Sequence, residues 1–293
     1  MSPERRPWVA VFVSWLFGPG IGQLYNGKLR KAAAFVIGLP IALALCLRVM
    51  IALPTRPWNV LLPMCSVAAF VIASWVDAGR DARRLRQVPR PWYGRWYTCL
   101  VAGLLNVFVI MPASLVVMRA TWAQAFKLPS GSMEPTLLIG DHFLVDRTAY
   151  GIQVGSTVIA AQAPARGDVI AFRHPKNPAM VQLKRVIGLP GETVEVRGKA
   201  VYADGRALDE PYARFLPDTE SALDDDVRRN WGPQQVPAGH VFVLGDNRDN
   251  SLDSRFFGWV PSADVLGKAK VVYFSWDSAK GRVRWERIGL ALR

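Results

Sequence analysis

Three short stretches of the 293-residue chain carry the side chains best suited to covalent chemistry. The first is Phe126–Asp141, FKLPSGSMEPTLLIGD, where Pro129-Ser130-Gly131-Ser132-Met133-Glu134-Pro135-Thr136 sets two serines between two prolines. Proline fixes φ and lacks an amide hydrogen, and glycine supplies unusual backbone angles, so this run predicts a rigid loop that presents a hydroxyl. Taken alone, it reads equally as a linker turn. A serine hydroxyl becomes a nucleophile only when a nearby base takes its proton. His142, His174 and His240 stand in no recognisable arrangement with an Asp and a Ser. A lysine can act instead if it is held neutral, because burial lowers its pKa from ~10.4 by up to ~3–5 units. Lys184, in the second stretch, lies among Val181, Leu183, Val186 and Ile187 in a strand-like run that suits burial. The third stretch, Gly245–Arg255 (GDNRDNSLDSR), is rich in acids but lacks the glycine and terminal glutamate of an EF-hand calcium loop.

In this order, after an apolar anchor, PSGSMEPTL, KRVIGLPGE and GDNRDNSLDSR closely resemble bacterial type I signal peptidase, a family of membrane-bound Ser/Lys serine proteases. The resemblance covers roughly residues 120–275. It implies N-terminal transmembrane helices followed by a mostly antiparallel all-β catalytic domain. Position by position, it implies Ser132 as nucleophile and Lys184 as general base, with Ser130 joining the Ser132 amide in an oxyanion hole. Ser251 corresponds to a serine that hydrogen-bonds and orients the lysine, and Asp253 and Arg255 to a supporting ion pair, which could equally be a surface pair. Phe126, Leu128 and Leu183 match positions lining shallow apolar pockets for a small-x-small sequence; core packing is the other reading of Leu183. The implied substrates are signal peptides of exported precursor proteins, cleaved at the bacterial cytoplasmic membrane without cofactor or metal. Two rival readings remain: a specialised peptidase of the same family for one dedicated substrate, and a catalytically silent membrane scaffold. Loss of Ser132 or Lys184 would mark the scaffold, and both are present.

Charge distribution locates these motifs. Residues 1–119 hold 14 Lys/Arg against 3 Asp/Glu, while the remainder holds 22 against 20, within a net charge of +13. A nucleic-acid-binding protein would carry its positive excess on the folded domain. Here the excess flanks apolar segments, as in cytoplasmic loops of membrane proteins, so a lipid bilayer and not a polyanion is the expected partner. Ala32–Leu53, Val60–Val76 and Thr98–Met118 are candidate spans, with Pro54–Pro57 as a tight turn between the first two. Asp77–Tyr97, with six arginines, is expected to be a cytoplasmic loop, which places residues 120–293 on the periplasmic side. Pro7–Phe17 is short for a span but could continue to Tyr25, so three or four crossings are expected, with slight preference for the fourth. It has the length of a signal-peptide core but no small-x-small cleavage site follows, so it is expected to be retained. Pro19–Lys28, PGIGQLYNGK, resembles a small membrane module with a PGxGQxYxG turn that sometimes precedes peptidase domains, and assigns no chemistry.

The expected organisation is therefore a membrane module over 1–97, a last anchor over 98–119 and a peptidase domain over 120–293. Within the last, Asp168–Phe172, Thr193–Arg197, His240–Leu244 and Lys270–Phe274 are short, β-branched runs bounded by Gly, Pro or Asp, and read as strands. Asp209–Pro237 shows no clear period and is expected to be a surface insertion, its Asp224-Asp225-Asp226 run a solvated loop. Cys46, Cys65 and Cys99 all precede residue 119, which leaves the peptidase domain no disulfide framework, and neither they nor the histidines stand at zinc-ligand spacing.

Overall fold

The computed structural model describes residues 4–53, 57–154, 157–159, 162–216 and 226–292. The chain divides into two compact units, Met1–Ala120 and Thr121–Arg293. The turn expected at Pro54–Pro57 and the acidic run at Asp224–Asp226 lie largely outside the described residues.

The first unit is helical: α1 (Pro7–Phe17), α2 (Ile21–Tyr25), α3 (Leu29–Ala52), α4 (Trp58–Arg84), α5 (Trp96–Leu105) and α6 (Met111–Thr121), the last two joined by one π-helical turn at Asn106–Ile110. Among the described residues three helical stretches are long and apolar enough to cross a membrane, Leu29–Ala52, Trp58–Arg84 and Trp96–Arg119. α4 runs eight residues beyond the expected span, so the first part of the arginine-rich segment is helix and the loop proper begins at Leu85.

Pro7–Tyr25, entertained as a fourth crossing, is not one continuous helix: it breaks after Phe17. α1 has 11 residues, about 16 Å of helix against a hydrocarbon core of ~30 Å. Gly18 and Gly20 then take positive φ, and α2 comes back. Both ends of this hairpin meet the same loop. The Arg5 guanidinium donates to the carbonyls of Leu85 (3.0 Å) and Pro89 (3.2 Å), while Arg90 donates to the Tyr25 hydroxyl (2.9 Å). Gly22 lets α2 lie against α1, since a Cβ there would sit 2.2 Å from the Ala10 carbonyl oxygen. Apolar length in a sequence records that a segment can enter a membrane, not that it continues; the glycines decide the return. Polar side chains bind the hairpin to the long helices. Gln23 Nε2 donates to the Ser74 carbonyl (2.8 Å), Asn26 Nδ2 to that of Ala78 (2.7 Å) and Asn106 Nδ2 to that of Phe17 (2.8 Å). Each bond satisfies a group that would be costly to leave unpaired in lipid.

The second unit is built of antiparallel strands. In chain order they are β1 (Ala123–Lys127), β2 (Asp141–Asp146), β3 (Ile152–Val154), β4 (Thr157–Ile159), β5 (Val169–His174), β6 (Asn177–Gly188) and β7 (Thr193–Arg197). There follow β8 (Ala200–Ala203), β9 (Arg206–Ala207), β10 (Asn230–Gln235), β11 (His240–Leu244), β12 (Val260–Pro261), β13 (Val265–Asp277) and β14 (Arg282–Val283). The main sheet runs β1-β2-β13-β5-β6-β11-β12, with β14 on β13; a smaller sheet runs β10-β7-β8-β9, and β3 and β4 form a ribbon. The four β-branched runs named from sequence all fall in strands, β5, β7, β11 and β13. Inward residues of the sheets, among them Val145, Ala171, Val186, Phe242 and Val272, are fully buried and form the cores on which the sheets rest.

Asp209–Pro237 is more than a surface insertion. Its residues 230–235 form β10, paired to β7, and Trp231 packs over Phe242 with ring centroids 4.4 Å apart. The register shifts between Trp231 and Gln234, around Gly232-Pro233, which removes the two-residue alternation by which a strand is recognised.

The hairpin makes a topological prediction. In a chain whose own cysteines are replaced, Glu4→Cys and Lys28→Cys should be modified from the same side of sealed vesicles by a membrane-impermeant thiol reagent. Labelling from opposite sides would show that the hairpin crosses.

Candidate active site

The loop between β1 and β2 is closed at its base and plugged from within. Leu128 N donates to the Asp141 carbonyl (2.9 Å) and Gly140 N to that of Leu128 (3.3 Å). Met133 and Leu137 are both fully buried beneath it. Asp141 accepts from Leu138 N (2.8 Å) and is gripped by Arg287. The rigid hydroxyl-bearing loop expected from its prolines is thus anchored, and it leaves Ser130 exposed and Ser132 buried.

β6 brings up the lysine. Its pairing with β5 sets Lys184 opposite Ile170 and Arg185 opposite Val169, and successive side chains of a strand point to opposite faces. Lys184 Nζ lies 2.8 Å from Ser132 Oγ, at hydrogen-bond distance, and Ser130 Oγ is 3.3 Å from the same oxygen. Lys184 is only 4% exposed. That burial lowers its pKa to about 8; the charges of Asp253 and Asp246 pull it back up, and that of Arg255 presses it down. The amine is therefore substantially neutral in mildly alkaline solution, and a neutral amine can accept from the serine hydroxyl.

Asp253 and Arg255 form the expected pair, and it is interior. Arg255 Nε and Nη2 each lie 2.8 Å from a different Asp253 oxygen, with both side chains at most 1% exposed. Asp253 also accepts from Gly245 N (3.1 Å), and Arg255 donates to the Arg248 carbonyl (2.7 Å), so the pair pins the 245–255 loop. Ser251 departs from expectation. It is buried, but its Oγ has no hydrogen-bond partner among the described residues, so the expected bond to Lys184 is not formed. Its hydroxyl packs on Gly245, where a Cβ would come within 2.2 Å of that oxygen and 2.6 Å of the Ser132 carbonyl.

A cleft of about 270 Å³ opens beside the serine and lysine, with Phe126, Leu128 and Leu183 among its walls; Leu128 and Leu183 also belong to the buried core beneath it. Phe143 and Ala171 also line it and carry no catalytic signature of their own. Phe143 stacks on Phe126 with centroids 6.1 Å apart; its place on β2 opposite Phe126 is the only signal that could have found it.

Arg185 and Thr136, which sequence reasoning left without a role, hold the pair in place together with Asp246 and Asn247, which were expected to build the loop that presents Ser251. The Arg185 guanidinium forks onto Asp246 (2.9 and 2.7 Å), and Thr136 donates to the same carboxylate (2.5 Å). Asn247 donates through its backbone N to the Ser132 carbonyl (3.1 Å) and through Nδ2 to that of Gly131 (3.0 Å). The adjacency of Lys184 and Arg185 in an apolar strand was the available clue, because two buried cations in succession require separate partners.

A profile of the family described as signal peptidase, peptidase S26, matches residues 101–276. A profile of a family of unknown function, DUF6677, matches residues 9–123. Signal peptidase I of Pseudomonas aeruginosa is 37% identical over 201 residues, covering 57% of this chain and 70% of that protein. Signal peptidase I of Leptolyngbya laminosa is 40% identical over 183 residues, covering 60% and 80%. A crystal structure of a signal peptidase I from Enterococcus faecalis aligns at 40% identity over 36% of this chain and 97% of that one, with a TM-score of 0.29. Apolar anchoring helices, an antiparallel β unit and these relatives define a membrane-anchored serine-type hydrolase. The chain belongs to the signal peptidase family, peptidase S26.

Breaking a buried ion pair from one side leaves an uncompensated charge, which costs about 3–5 kcal/mol. Asp246→Ala, which strands Arg185, should therefore lower stability by about that amount, seen as an earlier thermal transition of the full-length protein. An unchanged transition would show that the pair is not needed to hold the loop.

Proposed function

We propose that this chain removes N-terminal signal peptides from exported precursors by Ser/Lys catalysis. The observation that carries this reading is the contact of Ser132 Oγ with a lysine amine that burial brings to a pKa of about 8. In the proposed sequence, the neutral Lys184 amine takes the Ser132 proton as Oγ attacks the scissile carbonyl. The oxyanion meets the Ser132 backbone N–H and the Ser130 hydroxyl, donors set in place before charge develops. The Lys184 ammonium returns its proton to the leaving amine, which departs as the mature protein. The neutral amine then activates water to hydrolyse the acyl-serine. The cleft beside the pair, narrowed by Phe126, Leu128 and Leu183, suits an extended peptide with small residues at alternate positions. The intact serine–lysine contact favours this reading over a silent scaffold.

The proposed topology has three spans. Basic residues at Lys28, Arg30 and Lys31 and in the arginine-rich loop after Leu85 are assigned to the cytoplasm. In this topology the hairpin return is read as keeping the start of α1 on that side, and three crossings assign the peptidase unit to the periplasmic side.

Three outcomes are expected with one purified precursor, the cut mapped by mass spectrometry. Ser132→Ala and Lys184→Ala should each abolish nearly all turnover, and the double variant should be little worse, because residues acting as a unit are strongly non-additive. Lys184→Arg should also fail, since a guanidinium stays protonated, whereas Ser130→Ala should lose about 10²–10³-fold, as for one oxyanion donor. Full turnover in Ser132→Ala would end the assignment. The acid limb of kcat/KM should fall near pH 8, activity being lost below it as Lys184 gains the proton that stops it acting as a base. A limb that moved to a histidine range, and vanished with His142, His174 and His240 replaced, would exclude Lys184 as the base.

A further inference from the structure

The 245–250 loop is held from two sides. On its inner side Asn247 bonds the backbone of Gly131 and Ser132. Along its outer side runs Asp209–Leu216, the first part of the stretch that the sequence presents as an insertion. Arg214 N donates to the Asp246 carbonyl (2.7 Å) and Arg248 N to that of Arg214 (2.9 Å), a strand-like bridge. Leu216 N donates to Asp249 Oδ2 (2.8 Å). Glu210 receives the Arg248 guanidinium on both oxygens (2.7 and 2.8 Å), with the two side chains 7% and 2% exposed. Arg248 in turn donates through Nε to the Gly245 carbonyl (3.1 Å). Tyr212 lays its ring under the Arg185 guanidinium, 3.9 Å from the centroid, and its hydroxyl donates to Glu210 (3.1 Å).

We propose that Glu210–Leu216 is a strap that positions the serine–lysine pair, and that Glu210 and Tyr212 are positioning residues for the reaction. Neither lines the cleft. Glu210 acts through Arg248 and Gly245 on the face of the loop that packs against the Ser132 carbonyl. Tyr212 acts through Arg185 on the strand that carries Lys184. The strap thus touches the supports of both halves of the pair from one side, and fixes their separation. A displacement of about 1 Å at reacting atoms can cost ~10²-fold in rate, so small losses of support should be visible in turnover without loss of substrate binding.

This inference rests on the Ser132–Lys184 reading, and the test separates the two. Full-length Glu210→Gln, Tyr212→Ala, Tyr212→Phe and Ser132→Ala would be compared with the parent on one precursor, below the thermal transition of each. Glu210→Gln and Tyr212→Ala should lower kcat ~10-fold or more, with KM held within about twofold, the signature of an interaction felt only in the transition state. Tyr212→Phe, which keeps the ring over Arg185, should retain most of kcat. Should Glu210→Gln fail to fold, the two Tyr212 variants decide, because that half-buried ring can be trimmed without stranding a charge. Wild-type kcat in folded Glu210→Gln or Tyr212→Ala, a loss confined to KM, or equal losses in the Ala and Phe variants would each overturn the strap. An inactive Ser132→Ala beside fully active strap variants would overturn the strap alone; an active Ser132→Ala would overturn the catalytic reading itself.

Discussion

The structure around the site depends on keeping one amine out of water and without a carboxylate of its own. A lysine in an apolar interior remains uncharged only if no anion is free to hold its proton. Asp246, Asp253 and Glu210 all lie in the vicinity of Lys184 or its supports, and each is taken up by an arginine fork: Arg185, Arg255 and Arg248 respectively. The arginines cannot give up their charge, so each carboxylate keeps a fixed countercharge beside it. Buried ion pairs contribute little net stability compared with apolar packing. Here their arrangement has another effect: Asp253 and Asp246 still raise the affinity of Lys184 for a proton, and Arg255 works against them.

The same pairs explain how three stretches distant in sequence become one site. Thr136 and Arg185 share Asp246, Asn247 reaches back to Gly131 and Ser132, and Arg255 ties Asp253 to the Arg248 carbonyl. The helical unit adds neutral groups for the corresponding task. Gln23, Asn26 and Asn106 bond backbone carbonyls of other helices, satisfying groups for which lipid offers no partner.

What could be read from the sequence was whatever residue type and adjacency carry. The proline-bracketed serines and the lysine in its apolar run were recognisable by residue type, the Asp253–Arg255 pair only through the family resemblance. The β-branched strands were legible for the same local reason. What was not legible depended on side-chain rotamers or on backbone contacts. The Ser251 hydroxyl lies buried beside Gly245 without a bond to Lys184, a side-chain placement that no motif encodes. Arg214 joins the loop chiefly through its own N–H and C=O, which any residue possesses. β10 was hidden by Gly232 and Pro233, poor strand formers placed where the ladder slips. The hairpin at α1–α2 was hidden because hydrophobicity has no direction.

Lys184 and Arg185 stand side by side on β6, and under the proposed mechanism their demands are opposite: one gives up its proton and the other keeps it. A strand alternates its faces with a period of two, so the assignment of each cation to its side is a matter of parity. A one-residue slip of β6 against β5 and β11 would carry the guanidinium toward Ser132 and the amine toward Asp246. The apolar residues on both sides would barely register the exchange, since Val186 and Ile187 are nearly alike in size and equally buried. Over evolutionary time, the turn between β5 and β6 can lengthen freely as a loop, but it cannot pass a single-residue shift into the ladder. The history of length changes in this hairpin should therefore be written in its tip, while the phase of the strand beyond it is inherited unchanged.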